Sequence, residues 1–358
     1  MAITIGEDGF LTFNIPVNPE QPNFTLPKLQ DYINFLNDSE LSYSLVNNLG
    51  MVTMPDIQGS FLKTDNDKLS ILLGGEFNPI VYRGQNNDYP FMPSSQRYEL
   101  ADGRERIRHS IEWIKKNEFL RLIKSSPYYY RSLNFKVFNH NYELNFESVA
   151  KLYNCVSDYI DVTRNIMVAY FFAYTYFDKE KRQIAPIQDF ENFSPAIYIG
   201  NLKKLYKTVP SSIQNTGFQT LLRAKAQQAL SLDVSNDRDI IKNTFTKIDL
   251  PKNPVIAKNV FKQFNNGQLL LPADYASKCA SKIKETRTLQ EDLVEEYCNI
   301  TKTDRNWLRS EYTKFGFSLV NNRWELPEQA KYVMHREIDD YIIPFLNNNF
   351  ICRGVKTN

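Results

Sequence analysis

Histidine and cysteine are scarce. The 358 residues include three histidines (His109, His140, His335) and four cysteines (Cys155, Cys279, Cys298, Cys352). No two cysteines stand in C-x-x-C spacing and no histidine lies near one, so no structural zinc site is expected and the cysteines read as buried thiols. Three isolated histidines give no pattern for a Ser–His–Asp triad. Also missing are G-x-x-x-x-G-K-[ST], G-x-G-x-x-G after a strand, G-x-S-x-G and H-E-x-x-H. There is no charge excess: the formal net charge is +2, which supplies no bulk attraction to nucleic acid or to an anionic membrane. No apolar run reaches the ~20 residues that a bilayer-spanning helix needs. Residues 1–13 have neither a basic n-region nor an apolar h-region. These absences lead to the expectation of a cytoplasmic protein with no metal, membrane or nucleic-acid partner, and they name no cofactor.

What is present is an ordinary apolar fraction in a chain long enough for one large domain with additions, or for two domains. Tyr, Phe, Asn, Lys and Ile are abundant and evenly spread. The aromatic–basic run Tyr128-Tyr129-Tyr130-Arg131 reads as packing and not as base stacking. The stretch 147–177 organises the rest. From Ile166 to Phe177 it is apolar on every side except Thr175, and a helix apolar all round is buried all round. Asp161-Val162-Thr163-Arg164 precedes it. Asp161 or Thr163 would cap this helix, or the helix start would form the floor of an anion site.

Along the chain, residues 1–24 suggest an extended arm. Thr25 and Pro27 open a helix reaching Leu36. Residues 40–80 look strand-rich, with runs at 43–46, 51–54 and 69–73. Residues 79–82 and 196–199 read as short buried strands, the second ended by Gly200. Ile107, Ile111, Ile114 and Leu122 form the stripe of an amphipathic helix over 104–122. Helices are also expected within 249–267, 273–284, 288–300, 303–314 and 327–346. Past about Arg287 the pattern is helix-only. The expected architecture is therefore α+β: a small mixed sheet around a buried central helix, with a helical C-terminal element. The expected divisions are 1–24, 25–285 and 286–358.

Several polar residues stand out of place: Arg83, Arg97, Asp161, Thr163, Arg164, Arg223 and Gln227; with Gln85, which helps close the strand at 79–82, they are the ligand-binding candidates. Arg83 ends an apolar strand, and Gly84 after it permits close backbone approach. A guanidinium there forks onto a carboxylate or phosphate. The alternative is a buried Arg83–Asp161 pair that only holds the core. Paired carboxylates such as Asp339-Asp340 and Glu295-Glu296 read as solvated helix faces.

Tyr82-Arg83-Gly84-Gln85, the prolines Pro90 and Pro93, and Arg97 resemble the opening signature of FRG-domain proteins. The resemblance continues at Tyr153, Asp161, Thr163, Asn165 and Phe172-Ala173, and at Arg223 to Gln228. It spans residues 25–285. The chain departs from the family where the usual His is Leu152, the Gly is Asn154, the Arg is Asp158 and the Trp is Val162. A Gly that follows the Gln element in the family is Ala229 or displaced. If the family's His moves a proton, this chain has lost it.

The resemblance implies a ligand-binding domain of bacterial or phage origin, acting in defence or stress. An anionic or nucleotide ligand would meet Arg83, Thr163 and the helix start at Arg164. The order strand–Arg, Asp-x-Thr, then a late polar motif is also similar to that of ADP-ribosyltransferases. That similarity implies transfer or hydrolysis on a nucleotide such as NAD, but Gln227 and Gln228 occupy the place of the expected late Glu and cannot act as a base. A protein-interaction module with no small ligand is the third reading. An open cleft holding Arg83, Asp161 and Gln227 favours the first two, and a dry salt-bridge network favours the third.

Overall fold

The helix apolar on all sides runs from Ile166 to Tyr174 and stops there, where the chain turns into a strand at Thr175. Its residues Val168, Ala169, Tyr170, Phe171, Ala173 and Tyr174 are buried. The structure, a computed structural model, describes residues 80–93, 95, 103–134, 136–137, 140–141, 145–153, 155–178, 180–209, 213–216, 221–235 and 238–337, and the backbone of five short strands before them. The expected helix at 25–36, the strand at 43–46, Arg97, Cys352 and the end of the last helix lie outside the described residues.

In chain order, β1 (Ile3–Ile5) pairs with β2 (Leu11–Phe13). β3 (Met51–Met54), β4 (Ile57–Lys63) and β5 (Leu69–Leu73) form a small antiparallel sheet. Then come β6 (Ile80–Gln85), α1 (Gly103–Lys124), α2 (Pro127–Ser132) and the pair β7 (Lys136–Val137) and β8 (His140–Asn141). α3 (Phe146–Leu152), β9 (Tyr159–Thr163) and α4 (Ile166–Tyr174) follow, with β10 (Thr175–Asp178) and β11 (Gln183–Pro186) as a hairpin. Next are β12 (Ala196–Asn201), α5 (Leu202–Thr208), β13 (Ile213–Asn215), α6 (Leu222–Gln227) and β14 (Ala229–Asp233). The remainder is α7 (Arg238–Asn243), β15 (Phe245–Asp249), α8 (Pro254–Gln263), α9 (Tyr275–Glu285), β16 (Thr288–Gln290), α10 (Glu291–Thr301), α11 (Arg305–Lys314), β17 (Ser318–Val320) and α12 (Glu328–Glu337).

The principal sheet has the order β13-β14-β9-β6-β12-β15, and its pairings are antiparallel. With the helices around it, the fold is α+β. The two strands expected at 79–82 and 196–199 are direct neighbours in it. Side chains alternate between two cores, as the period of two requires. Tyr82, Ile197 and Ile199 join α4 and α8 in one cluster, whereas Val81, Tyr198, Val162 and Leu230 join α5 and α7 in another. Gly200 does not end β12. It is paired within the strand and lies against the ring of Phe245.

α1 packs against α9, β16, α10 and α11. Its stripe of Ile107, Ile111 and Ile114 packs on Leu289, Leu293, Tyr297, Leu308 and Tyr312. The region beyond 287 is not helix-only, because β16 and β17 pair in parallel. Leu289 pairs with Leu319, a partner thirty residues away that no local pattern reveals. Two buried ionisable side chains of α1 bind the chain between residues 283 and 324. Lys115 Nζ donates to the carbonyls of Ile283 and Thr286. Glu118, 1% exposed, accepts from Gln290 N at 2.9 Å and from Trp324 Nε1 at 3.0 Å. The expected division at 285/286 runs through this junction. The aromatic run on α2 is packing: Tyr128 is buried and Tyr129 meets Phe146 edge-on at 5.0 Å.

Candidate functional site

The sheet is split down its middle. β6 pairs with β12 along its whole length and β9 pairs with β14 likewise, but β6 and β9 meet at one pair, Tyr82 with Thr163. Beyond that pair the strands part, and a cleft of about 330 Å³ opens there. That is at the small end for a site taking a drug-sized ligand. One wall is Arg83, Gly84, Gln85 and Asn86, and the other is Asp161, Val162 and Thr163. Phe172 of α4 and Tyr176 and Phe177 of β10 contribute an aromatic side. Two of the lining aromatics are largely exposed, Tyr89 at 41% and Phe177 at 58%.

Gly84 permits a close backbone approach, as its position suggests. A Cβ on it would stand 1.8 Å from the carbonyl oxygen of Ala169 and 2.9 Å from Ala173 N. The backbone that approaches here belongs to α4, so glycine seats the central helix on the sheet.

Arg83 spans the split. Its Nη1 donates to the backbone carbonyl of Asp161 at 2.8 Å. The Asp161 carboxylate turns to other partners: Oδ2 pairs with Lys151 Nζ at 3.3 Å, and Oδ1 accepts from Ser231 Oγ at 3.4 Å. The expected Arg83–Asp161 ion pair is not formed: the two residues meet through the Asp161 peptide carbonyl instead. A neutral carbonyl leaves the guanidinium charged, so Arg83 holds its positive charge at the cleft wall. Lys151 also donates to the Tyr159 carbonyl.

Thr163 is buried and does not cap α4. Asn165 is the N-cap, its Oδ1 accepting from Met167 N at 3.0 Å. Thr163 Oγ1 accepts from Asn165 N at 3.0 Å and donates to the Gln227 carbonyl at 2.6 Å. Asn165, and neither Asp161 nor Thr163, therefore caps α4. Gln227 lines the cleft, and its Nε2 donates to the Leu270 carbonyl at 3.0 Å. Gln228, at φ 44°, makes the left-handed turn from α6 into β14. That is the conformation a glycine adopts most readily.

Gln85 is 3% exposed and lines the cleft, and neither its Nε2 nor its Oε1 has a hydrogen-bond partner among the described residues. Leaving a buried polar group unsatisfied costs on the order of 1–3 kcal/mol.

The cleft thus gathers Arg83, Gln85, Asp161, Thr163 and Gln227 from the sequence expectation. Arg164 and Arg223 are not among its lining residues. Arg164 is buried in the β9–α4 turn, its N–H on the Gln228 carbonyl, and burial pushes its guanidinium down to about 10. Arg223 Nη1 donates to the Leu152 carbonyl at 2.8 Å, and its guanidinium stacks over Tyr153 at 4.7 Å. Tyr153 in turn donates to Asp274, which caps α9. Burial lowers the Arg223 pKa and raises that of Tyr153. Sequence reasoning missed Asn86, which ties the end of β6 to the Thr175 carbonyl at 2.7 Å, and it missed the aromatic lining of β10, which it placed in the helix. Turn chemistry at Asn86-Asn87-Asp88 was the one signal for the first.

Among the described residues, no group of three or more His, Cys, Asp or Glu side chains is placed to hold a metal ion, and no helix is long and apolar enough to cross a membrane. Cys155, Cys279 and Cys298 are free thiols. In comparisons with protein-family models, with curated proteins and with solved structures, nothing matches the chain.

Proposed function

We propose that the chain is an FRG-like domain whose cleft between β6 and β9 binds an anionic ligand of the nucleotide class. The observation that carries this reading is convergence. Five polar residues from three distant segments, at 83–85, 161–163 and 227, line one open cleft. A closed salt-bridge network would have favoured a pure interaction module. Arg83 suits a phosphate, because its planar fork donates in pairs. Tyr89, Phe172, Tyr176 and Phe177 suit a planar ring, because aromatic faces stack on it.

Binding is favoured over transfer chemistry. The late acidic residue of an ADP-ribosyltransferase-like site is replaced by Gln227, whose amide is committed to Leu270. Among the described lining residues the one carboxylate is Asp161, and Lys151 holds it. A setting in bacterial or phage defence or stress rests on the family resemblance alone.

The test is titration calorimetry of the wild type and Arg83→Ala with AMP, ADP and NAD, with mass spectrometry of the mixtures for consumed nucleotide. Wild-type binding that weakens roughly tenfold or more in Arg83→Ala supports the reading. A wild type that binds none of them, or an Arg83→Ala variant that binds equally well, overturns it. Consumed nucleotide would replace binding with an enzymatic reading of the same cleft.

A further inference from the structure

Gln85 poses a question that the packing does not answer. It sits at the end of β6, opposite Ala196 of β12, and it is 3% exposed. A buried amide offers two donor hydrogens and two acceptor lone pairs, and these are normally met. Three other polar residues that line the cleft have partners. Asn86 donates to the Thr175 carbonyl, Gln227 donates to the Leu270 carbonyl, and Thr163 both donates and accepts. Gln85 has no partner among the described residues for either polar atom, and it lines the cleft.

We propose that Gln85 is the specificity-determining residue of the cleft, its carboxamide reading a planar ligand edge that presents a hydrogen-bond donor beside an acceptor. This rests on the nucleotide-binding reading above and deepens it. An amide is matched in both atoms by such an edge and in one atom by an edge of two acceptors. The adenine 6-amino group beside N7 is an edge of the matching kind, and a carboxamide is another. The aromatic side of the cleft would hold the ring flat, and Arg83 would hold the phosphate. Gln85 then chooses among rings that stack equally well.

The experiment compares two ligand pairs on the wild type and on Gln85→Leu by calorimetry. AMP against IMP changes the edge formed by the six-position and N7 from donor–acceptor to acceptor–acceptor. Nicotinamide mononucleotide against nicotinic acid mononucleotide changes a carboxamide to a carboxylate. The wild type should prefer the first member of one pair by roughly 10- to 100-fold, the discrimination of a good two-point contact. The pair that shows it identifies the edge. Gln85→Leu should lose that preference while still binding both members, and it should melt no lower than the wild type because it removes an unmet amide. Equal discrimination in Gln85→Leu, or none in the wild type, overturns this inference and leaves the nucleotide reading standing. A lower melting temperature also overturns it, since the amide would then be a structural bond. A wild type that binds none of the four ligands overturns both.

Discussion

Arg83 bonds the peptide carbonyl of Asp161 at 2.8 Å while the Asp161 carboxylate, on the same residue, is held by Lys151 at 3.3 Å. The two ionisable groups that the sequence invites one to pair are neighbours without being ion partners. Removing either therefore does not strand the other's charge.

That arrangement sets the cost of Arg83→Ala. Breaking a true buried ion pair costs about 3–5 kcal/mol, because a charge is left in the core. Here the charged hydrogen bond to a neutral carbonyl is lost, beside an open cleft. The expected loss is about 1–2 kcal/mol, read from urea unfolding of the variant against the wild type. A loss of 4 kcal/mol or more would restore the scaffold reading of Arg83.

Gly84→Ala should be much worse, although it adds a single methyl group. Its Cβ would meet the backbone of α4, which cannot rotate aside as a side chain does. Overpacking typically costs about 1–3 kcal/mol, and a contact of 1.8 Å with main chain belongs at or above the top of that range,. Denaturant unfolding, or failure to recover folded protein, measures it. A variant as stable as the wild type would mean that α4 is not seated on β6 as described.

Glu118 predicts a pH dependence. Burial raises its pKa above the ordinary 4.5, against the lowering effect of the Gln290 N–H, Lys115 and Trp324. A carboxyl whose folded-state pKa is raised binds more protons folded than unfolded. Its contribution is fully present below about pH 4.5 and is lost as pH rises through the higher folded value,. Glu118→Gln removes this term. The stability of the variant relative to the wild type should therefore improve as pH increases from 4.5 toward 8, in unfolding curves taken at several pH values. A difference that stays flat with pH would show that Glu118 ionises normally in the fold.

The cysteines should titrate as thiols. All four should react in denatured protein without reductant. In the native protein Cys155 should be slow at pH 8, because burial pushes its thiol up to about 12 from 9.0. The reactive thiolate is then roughly a thousand times scarcer. Mass-resolved alkylation distinguishes this from a fast, exposed thiol, and a shortfall in the denatured count would reveal a disulfide.

Residue pattern made much of this legible. The stripe at Ile107, Ile111 and Ile114 announces α1, and the all-apolar run from Ile166 announces the buried helix, because burial writes a period into the side chains. The helix end at Tyr174 was not legible, since Thr175-Tyr176-Phe177 is as apolar as what precedes it and becomes strand by pairing with 184–186. β16 was hidden in the same way, its partner lying in Ser318–Val320. The cleft residues Arg83, Asp161, Thr163 and Gln227 were visible as polar positions out of place, and Gln85 as the end of the Tyr-Arg-Gly-Gln run. Their division of labour was not. Lys151 and Ser231, which take up the Asp161 carboxylate, carry no local signal, and Gly84 gave close approach without pointing to α4 as the neighbour.

The seating of β16, α10 and α11 on α1 has a consequence in time. Glu118 waits for Gln290, a residue 172 positions later. A ribosome adding about 5–20 residues per second needs roughly ten to thirty seconds to bring it out. During that interval the stripe of Ile107, Ile111 and Ile114 has no native cover. A nascent chain of this protein is thus most exposed to misassociation early, through a helix that is complete in sequence long before it is complete in contacts. Stalling synthesis between residues 125 and 285 should raise its dependence on holding chaperones, and release from them should coincide with the emergence of α10 and α11.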